Sequence, residues 1–339
     1  MKIFAILTAS SLAAAAMLFA VAPQSPWRAT LFAAQDGPAK TQPGGKAAQQ
    51  PKKKAGPEAS KKSPGSKQKE DEAAARAATA RFAVGVLQNC RANLQQDKTY
   101  QADIEEQVHI GGRSFAAQGK YWKGTGLRSR LELNMVVGEG KDAVKARLLQ
   151  VCDGEVLMTE QVMGKKKRFT RRNVKQILAA AANASPVPRN ELVSELGLGG
   201  INGLIASLQR TMVFDTSTSI PTKGKLARQI EGTWNSDYLT HWVNWSRQTR
   251  LQGYPAHVPE RVRVLVDSDF YVRKIEYLQR AADGKSFVPL VSLSFRNIQL
   301  NRKLDDQKLF QYVPEPGVYV DDTTAQYIQM FQPRPAGKN

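Results

Sequence analysis

Histidine is scarce in this chain of 339 residues. The three histidines, His109, His241 and His257, lie far apart, with no cysteine or carboxylate at ligand spacing. That pattern excludes an ordinary His-based metal centre. Only two cysteines are present, Cys90 and Cys152, too few for a disulfide-dense scaffold or a four-thiolate zinc site. The chain has no G-x-S-x-G elbow and no P-loop. Gly197-x-Gly199-x-x-x-Gly203 follows a helical stretch, not a strand, so it reads as a helix break and not as a dinucleotide fingerprint. The carboxylate pairs Asp305-Asp306 and Asp321-Asp322 sit in turn-like contexts. No catalytic residue, metal or cofactor is expected.

Acid is also in short supply. Lys+Arg number 49 against Asp+Glu 30, a net charge of +19. Much of the excess is local: residues 35–69 hold nine lysines against Asp36 and Glu58, so 9 − 2 = +7. The remainder is only moderately basic, which disfavours nucleic acid and suits a tail touching an anionic membrane surface. The same stretch has no aromatic residue. It cannot bury enough apolar area to offset chain ordering, so 23–69 is expected to be a disordered linker.

Before it, Phe4 to Ala22 is apolar and ends in Ala20-Val21-Ala22, an export-signal pattern, although Pro23 follows. The run of about 19 residues also suffices to span a bilayer. Residues 1–22 are therefore a cleaved signal peptide or a retained inner-membrane anchor, and both readings place the chain outside the cytoplasm, in the periplasm. In such a compartment Cys90 and Cys152 could bond, stabilising by roughly 4 kcal/mol in the chain-entropy model. Two separate buried thiols are the alternative.

Residues 70–331 carry the fold, and 332–339 form a tail. A helix is expected over 70–95, where Phe82, Val86, Cys90 and Leu94 recur every four residues, with Glu70, Asp71 and Glu72 in its first turn. From Tyr100 to Met163 the period is two, giving five antiparallel strands. Leu127, Leu131, Leu133 and Met135 share one face of the clearest strand, opposite Arg128, Arg130 and Glu132. The basic run Lys165–Arg172 reads as a solvated turn, with a phosphate-rich partner as the alternative. Helices follow over Val174–Ala181, after Asn190, and over Gly200–Met212. An aromatic loop, 234–257, precedes strands at 262–266, 272–278 and 290–298, and a short helix closes the fold near 323–331. The result is a mostly β, α+β chain with about ten strands in two blocks. Its alternating strands present one apolar face that helices or a ligand must cover.

Two segments resemble a known family. Phe115-Ala-Ala-Gln-Gly119-Lys-Tyr-Trp, Leu131, and Asp153-Gly154-x-x-Leu157 are similar to the outer-membrane lipoprotein carrier (LolA-like) family. The closing run Phe310-x-Tyr312-x-Pro314-x-Pro316-Gly317-Val318, with Asp321-Asp322 after it, resembles that family's C-terminal motif. The resemblance implies a curved antiparallel half-barrel with helices over its concave face, and a hollow that holds acyl chains of lipid or lipoprotein crossing the periplasm. Inner- and outer-membrane partner proteins go with that role. The cavity wall would be Ile104, Phe115, Leu131, Leu133, Met135, Leu148, Val264 and Phe295. The lid would be Leu178, Leu204, Ile205 and Leu208. In the family a basic strand residue holds the lid shut. Here Lys123-Gly124 replaces the family's Arg-Pro, which leaves Arg128 or Arg130 as the candidate gate. Two rivals remain open: a membrane-anchored interaction or sensing module on the same fold, and a secreted hydrolase.

Overall fold

The computed structural model describes residues 64–110, 113–137, 143–184, 200–222, 225–241, 258–304 and 306–331. The stretch expected to be a signal peptide or anchor, most of the expected linker, the helix expected after Asn190, the loop beyond His241 and the expected tail lie outside them. Helix α1 spans Pro64–Gln96. It starts earlier than its pattern suggested, so residues 64–69 are helical and Glu70, Asp71 and Glu72 fall after the first turn. Proline suits a helix start because its missing N–H is an orphan there anyway.

Six strands follow in a meander: β1 (Tyr100–Ile110), β2 (Arg113–Lys123), β3 (Ser129–Val137), β4 (Val144–Cys152), β5 (Val156–Met163) and β6 (Lys166–Asn173). Helices α2 (Val174–Ala184) and α3 (Gly200–Thr211) come next. A second meander runs back: β7 (Met212–Thr222), β8 (Lys225–Trp234), helix α4 (Ser236–His241), β9 (Arg261–Val266), β10 (Val272–Arg280) and β11 (Phe287–Leu300). Helix α5 (Asp306–Phe310), strand β12 (Val320–Asp322) and helix α6 (Thr324–Phe331) close the chain.

All twelve strands form one open sheet, ordered β12-β6-β5-β4-β3-β2-β1-β11-β10-β9-β8-β7. The two meanders join where β1 pairs with β11, so the first strand made becomes central. The sheet curves without closing, a half-barrel with helices on it. Gly119 serves a close approach: a Cβ there would collide with the carbonyl oxygen of Glu132 on β3. On β10 simple alternation fails. Val272, Ile275, Tyr277 and Leu278 are all buried, because the register slips between Val272 and Lys274 and again between Tyr277 and Leu278.

Two expectations are corrected at the β6 edge. Lys165 lies in an exposed turn as expected, but from Lys166 to Arg172 the basic run is strand β6, and Asp321 and Asp322 are not in a turn but in β12, parallel to it. Arg168 pairs with Asp321 at 3.0 Å and Arg171 with Asp322 at 2.6 Å. Strand β7 carried no recognised signal; its Ser/Thr-rich edge is mostly exposed.

The C-terminal motif is a strap. Arg130 Nη1 donates to the Leu309 carbonyl at 3.1 Å, and Tyr312 Oη donates to Glu160 at 2.9 Å. The strap thus crosses the face of β3–β5 opposite Leu148, the face on which Leu149 and Val151 are buried. Beyond β12, α6 folds back to pack with α2 over Cys152 and Leu157.

Candidate functional site

The apolar inner face of the sheet, with the helices over it, is the candidate site. Strands β1, β3, β4, β9 and β11 aim Ile104, Leu131, Leu133, Met135, Leu148, Val264 and Phe295 at that face, each 3% exposed or less. Phe115 of β2 is half-buried beside them. The covering roof is α1 and α3. Val86, Leu87, Cys90 and Leu94 come from α1, and Leu204, Ile205 and Leu208 from α3. Floor and roof form one continuous apolar cluster. Leu178 lies elsewhere: α2 packs with Cys152, Leu157 and α6 in a second cluster. Gly200 starts α3 with φ 51°, tight against Tyr121, where a side chain would collide with the ring.

Polar side chains also take inward steps, Gln150, Thr159 and Gln161 among them, and one is a buried carboxylate. Glu106 sits on β1 between Ile104 and Val108, opposite Ala117 and Leu293, and is 1% exposed. Its carboxylate is not without an interaction. Sequence reasoning passed over it. The available signal was a charged residue at an inward step of the alternation Ala102, Ile104, Glu106, Val108.

Polar groups fasten the roof at its rim. Arg91 of α1 donates to Gln209 at 2.9 Å and to Asn202 at 3.4 Å, tying α1 to α3. Lys123, at the end of β2, donates from Nζ to the carbonyls of Leu94 at 2.7 Å and Asp97 at 2.9 Å. These are orphan carbonyls at the helix C-terminus, where a cation is favoured. Burial lowers the Lys123 pKa, and the nearby Asp97 opposes that. Asp97, itself buried, accepts from Tyr271 Oη and from Asn301 Nδ2, each at 2.9 Å. Burial first, then the bond to Asp97, raises the Tyr271 pKa. One helix end is thereby held by β2, by the segment before β10 and by the residue after β11.

The two arginines expected to gate the lid are placed differently. Arg130 bonds Glu132 at 2.6 Å and the strap carbonyl of Leu309. Arg128 Nε donates to the Asp153 carbonyl at 3.4 Å. Lys123, which sequence reasoning placed at the family's Arg-Pro site but did not choose, touches the end of the roof helix, and Arg228 of β8 lies over the ring of Phe82 on the same helix.

Of the two readings of the cysteines, a bond or two separate buried thiols, the second is found. Cys90 and Cys152 are free, buried thiols in separate clusters, one on the inner side of α1 and one on β4 beneath α2. Burial pushes Cys90 up to about 12 and Cys152 up to about 11.

No family model and no curated protein matches the chain. Solved structures do. The chain is similar to lipoprotein LppX of Mycobacterium tuberculosis, at 8% identity and TM-score 0.32, over 66% of this chain and 97% of that one. It is similar to a DUF1329 family protein of Desulfovibrio piger, at 8% identity and TM-score 0.28, over 69% and 99%. A putative outer membrane lipoprotein-sorting protein domain of Vibrio parahaemolyticus matches at 10% identity and TM-score 0.26, over 68% and 97%. At these values the likenesses assign no ligand, and the functional reading below rests on the chain's own geometry.

Among the described residues no group of three or more His, Cys, Asp or Glu could hold a metal ion. No described helix is long and apolar enough to cross a membrane. What the arrangement offers is an apolar floor under an apolar roof that is held by hydrogen bonds at one end.

Proposed function

We propose that this protein is a periplasmic carrier that takes acyl chains of a lipid or lipoprotein between roof and inner face, for transfer between membranes. The single observation that supports this reading is the roof itself. Its contact with the floor is almost wholly apolar, while its fastenings lie at the rim. Lifting α3 exposes Ile201, Leu204, Ile205 and Leu208, at about 1.5–3 kcal/mol each, or roughly 6–12 kcal/mol in all. Water does not offset that cost. An acyl chain does: burying ten to fifteen methylenes returns about 8–12 kcal/mol. The roof would therefore open to acyl chains and stay shut without them.

The test is uptake of a fluorescent fatty acyl probe by the purified protein, with Leu133→Glu abolishing it. Native mass spectrometry after expression in lipid-rich cells should find co-purifying lipid. No probe binding and no bound lipid would sink the carrier reading.

A second reading is an interaction or sensing module on the same fold, anchored at the membrane. It is favoured by one observation: the roof and floor side chains named above, Phe115 excepted, are 5% exposed or less, so in this state they fill the space between them.

A further inference from the structure

The hairpin end of the sheet, at β2–β6, carries a feature the acyl site does not use. At the hairpin ends of β2–β5 lies an open trough of about 890 Å³. Ladder pairing places its rows side by side. Ala116, Val136 and Lys145 form one row, and Gln118, Asn134, Arg147 and Val162 form the next. Val136, and Val144 on the other side of the same strand ends, are 46% and 40% exposed, unusual for valine. Next to them, the β5–β6 hairpin presents Lys165, Lys166 and Lys167, all exposed.

The charges here differ from those farther along β3 and β6. Arg130, Arg168 and Arg171 are each paired with a carboxylate. Among the described residues, Lys145, Arg147, Lys165, Lys166 and Lys167 are not paired with one. Five unneutralised cations thus ring a patch of exposed valines at one end of the half-barrel. Cations beside exposed apolar groups match the boundary between lipid headgroups and acyl chains. An acidic protein would match the charge but leave the apolar floor without purpose.

We infer that this hairpin end is a docking surface for an anionic lipid bilayer, with headgroup phosphates on Lys145, Arg147 and the β5–β6 hairpin, and the exposed valines in the interfacial layer. Docking here uses exposed side chains of the hairpin end and none of the buried roof contacts, so it stands or falls independently of acyl uptake.

The test is co-sedimentation of the full chain with phosphatidylcholine vesicles, with and without phosphatidylglycerol. Residues 35–69 stay intact in every variant, so a change reports on the hairpin end alone. Each cation near an anionic surface contributes about fivefold to partitioning, so Lys145→Gln with Arg147→Gln should weaken binding to phosphatidylglycerol vesicles about 25-fold. Lys166→Gln with Lys167→Gln, on an exposed strand end, should do the same and decides the matter if the first variant fails to fold. Acyl-probe uptake should be unchanged in both. Equal partitioning of wild type and the folded variants, or equal binding to vesicles with and without phosphatidylglycerol, overturns the inference.

Discussion

Replacing Lys123 by Met removes the ammonium that holds the end of α1 while keeping most of its apolar stem. Two hydrogen bonds are lost, to Leu94 and Asp97. Bonds from a charged donor contribute about 1.5–3 kcal/mol each. Lys123 is only half-buried, and water can reach the freed carbonyls, so the sum is discounted to roughly 2 kcal/mol. The loss is local, because Asp97 still holds Tyr271 and Asn301. An energy of roughly 2 kcal/mol is about 30-fold in a local opening equilibrium. Hydrogen exchange should therefore show amides 90–96 losing about 30-fold in protection, with β1–β4 amides nearly unchanged. On the carrier reading, the acyl probe should also associate faster. Unchanged protection at 90–96, or a loss spread evenly over the sheet, would show that Lys123 does not fasten the roof.

Two further outcomes follow from buried groups. The thiols of Cys90 and Cys152 keep their protons to about 12 and about 11 in the folded chain, against an ordinary 9.0 when unfolded. Above pH 9.0 the unfolded state binds fewer protons, so stability falls as pH rises, on the order of 1 kcal/mol per pH unit for each thiol. Urea melts between pH 9 and 10, below the range where the buried tyrosines add to it, should show that slope, and Cys90→Ala with Cys152→Ala should flatten it. Tyr312→Phe leaves the buried Glu160 without its strap donor and should cost about 1–3 kcal/mol, read as a lower urea midpoint at unchanged m-value. An unaltered midpoint would mean that the strap is not held there.

Much of the architecture was legible because its signals are short-range. A period of two marks β1 to β5 and β9, and a stripe at Ile201, Leu204, Ile205 and Leu208 marks α3, without knowledge of any partner. The inward set of β3 needed only the alternation Leu131, Leu133, Met135. The site was less legible. Leu178 and Leu208 carry equally good helical stripes, yet one faces α6 and the other the central floor. Glu106 breaks an apolar alternation at a single step, and only its burial shows that the step still points inward.

The amino-acid sequence alone determined the element types, the greasy face of most strands and the absence of familiar catalytic motifs, because these depend on neighbours within a few residues. Tertiary structure decided what meets what. Arg168 is neutralised by Asp321, 153 positions away, and this turns an apparent solvated turn into a paired edge strand. Lys123, not Arg128 or Arg130, meets the roof because the β2 end and the α1 end converge in space. Two cysteines stay apart because separate helices bury them. Such pairings form across chain separations that no local pattern encodes, so only the folded sheet selects them.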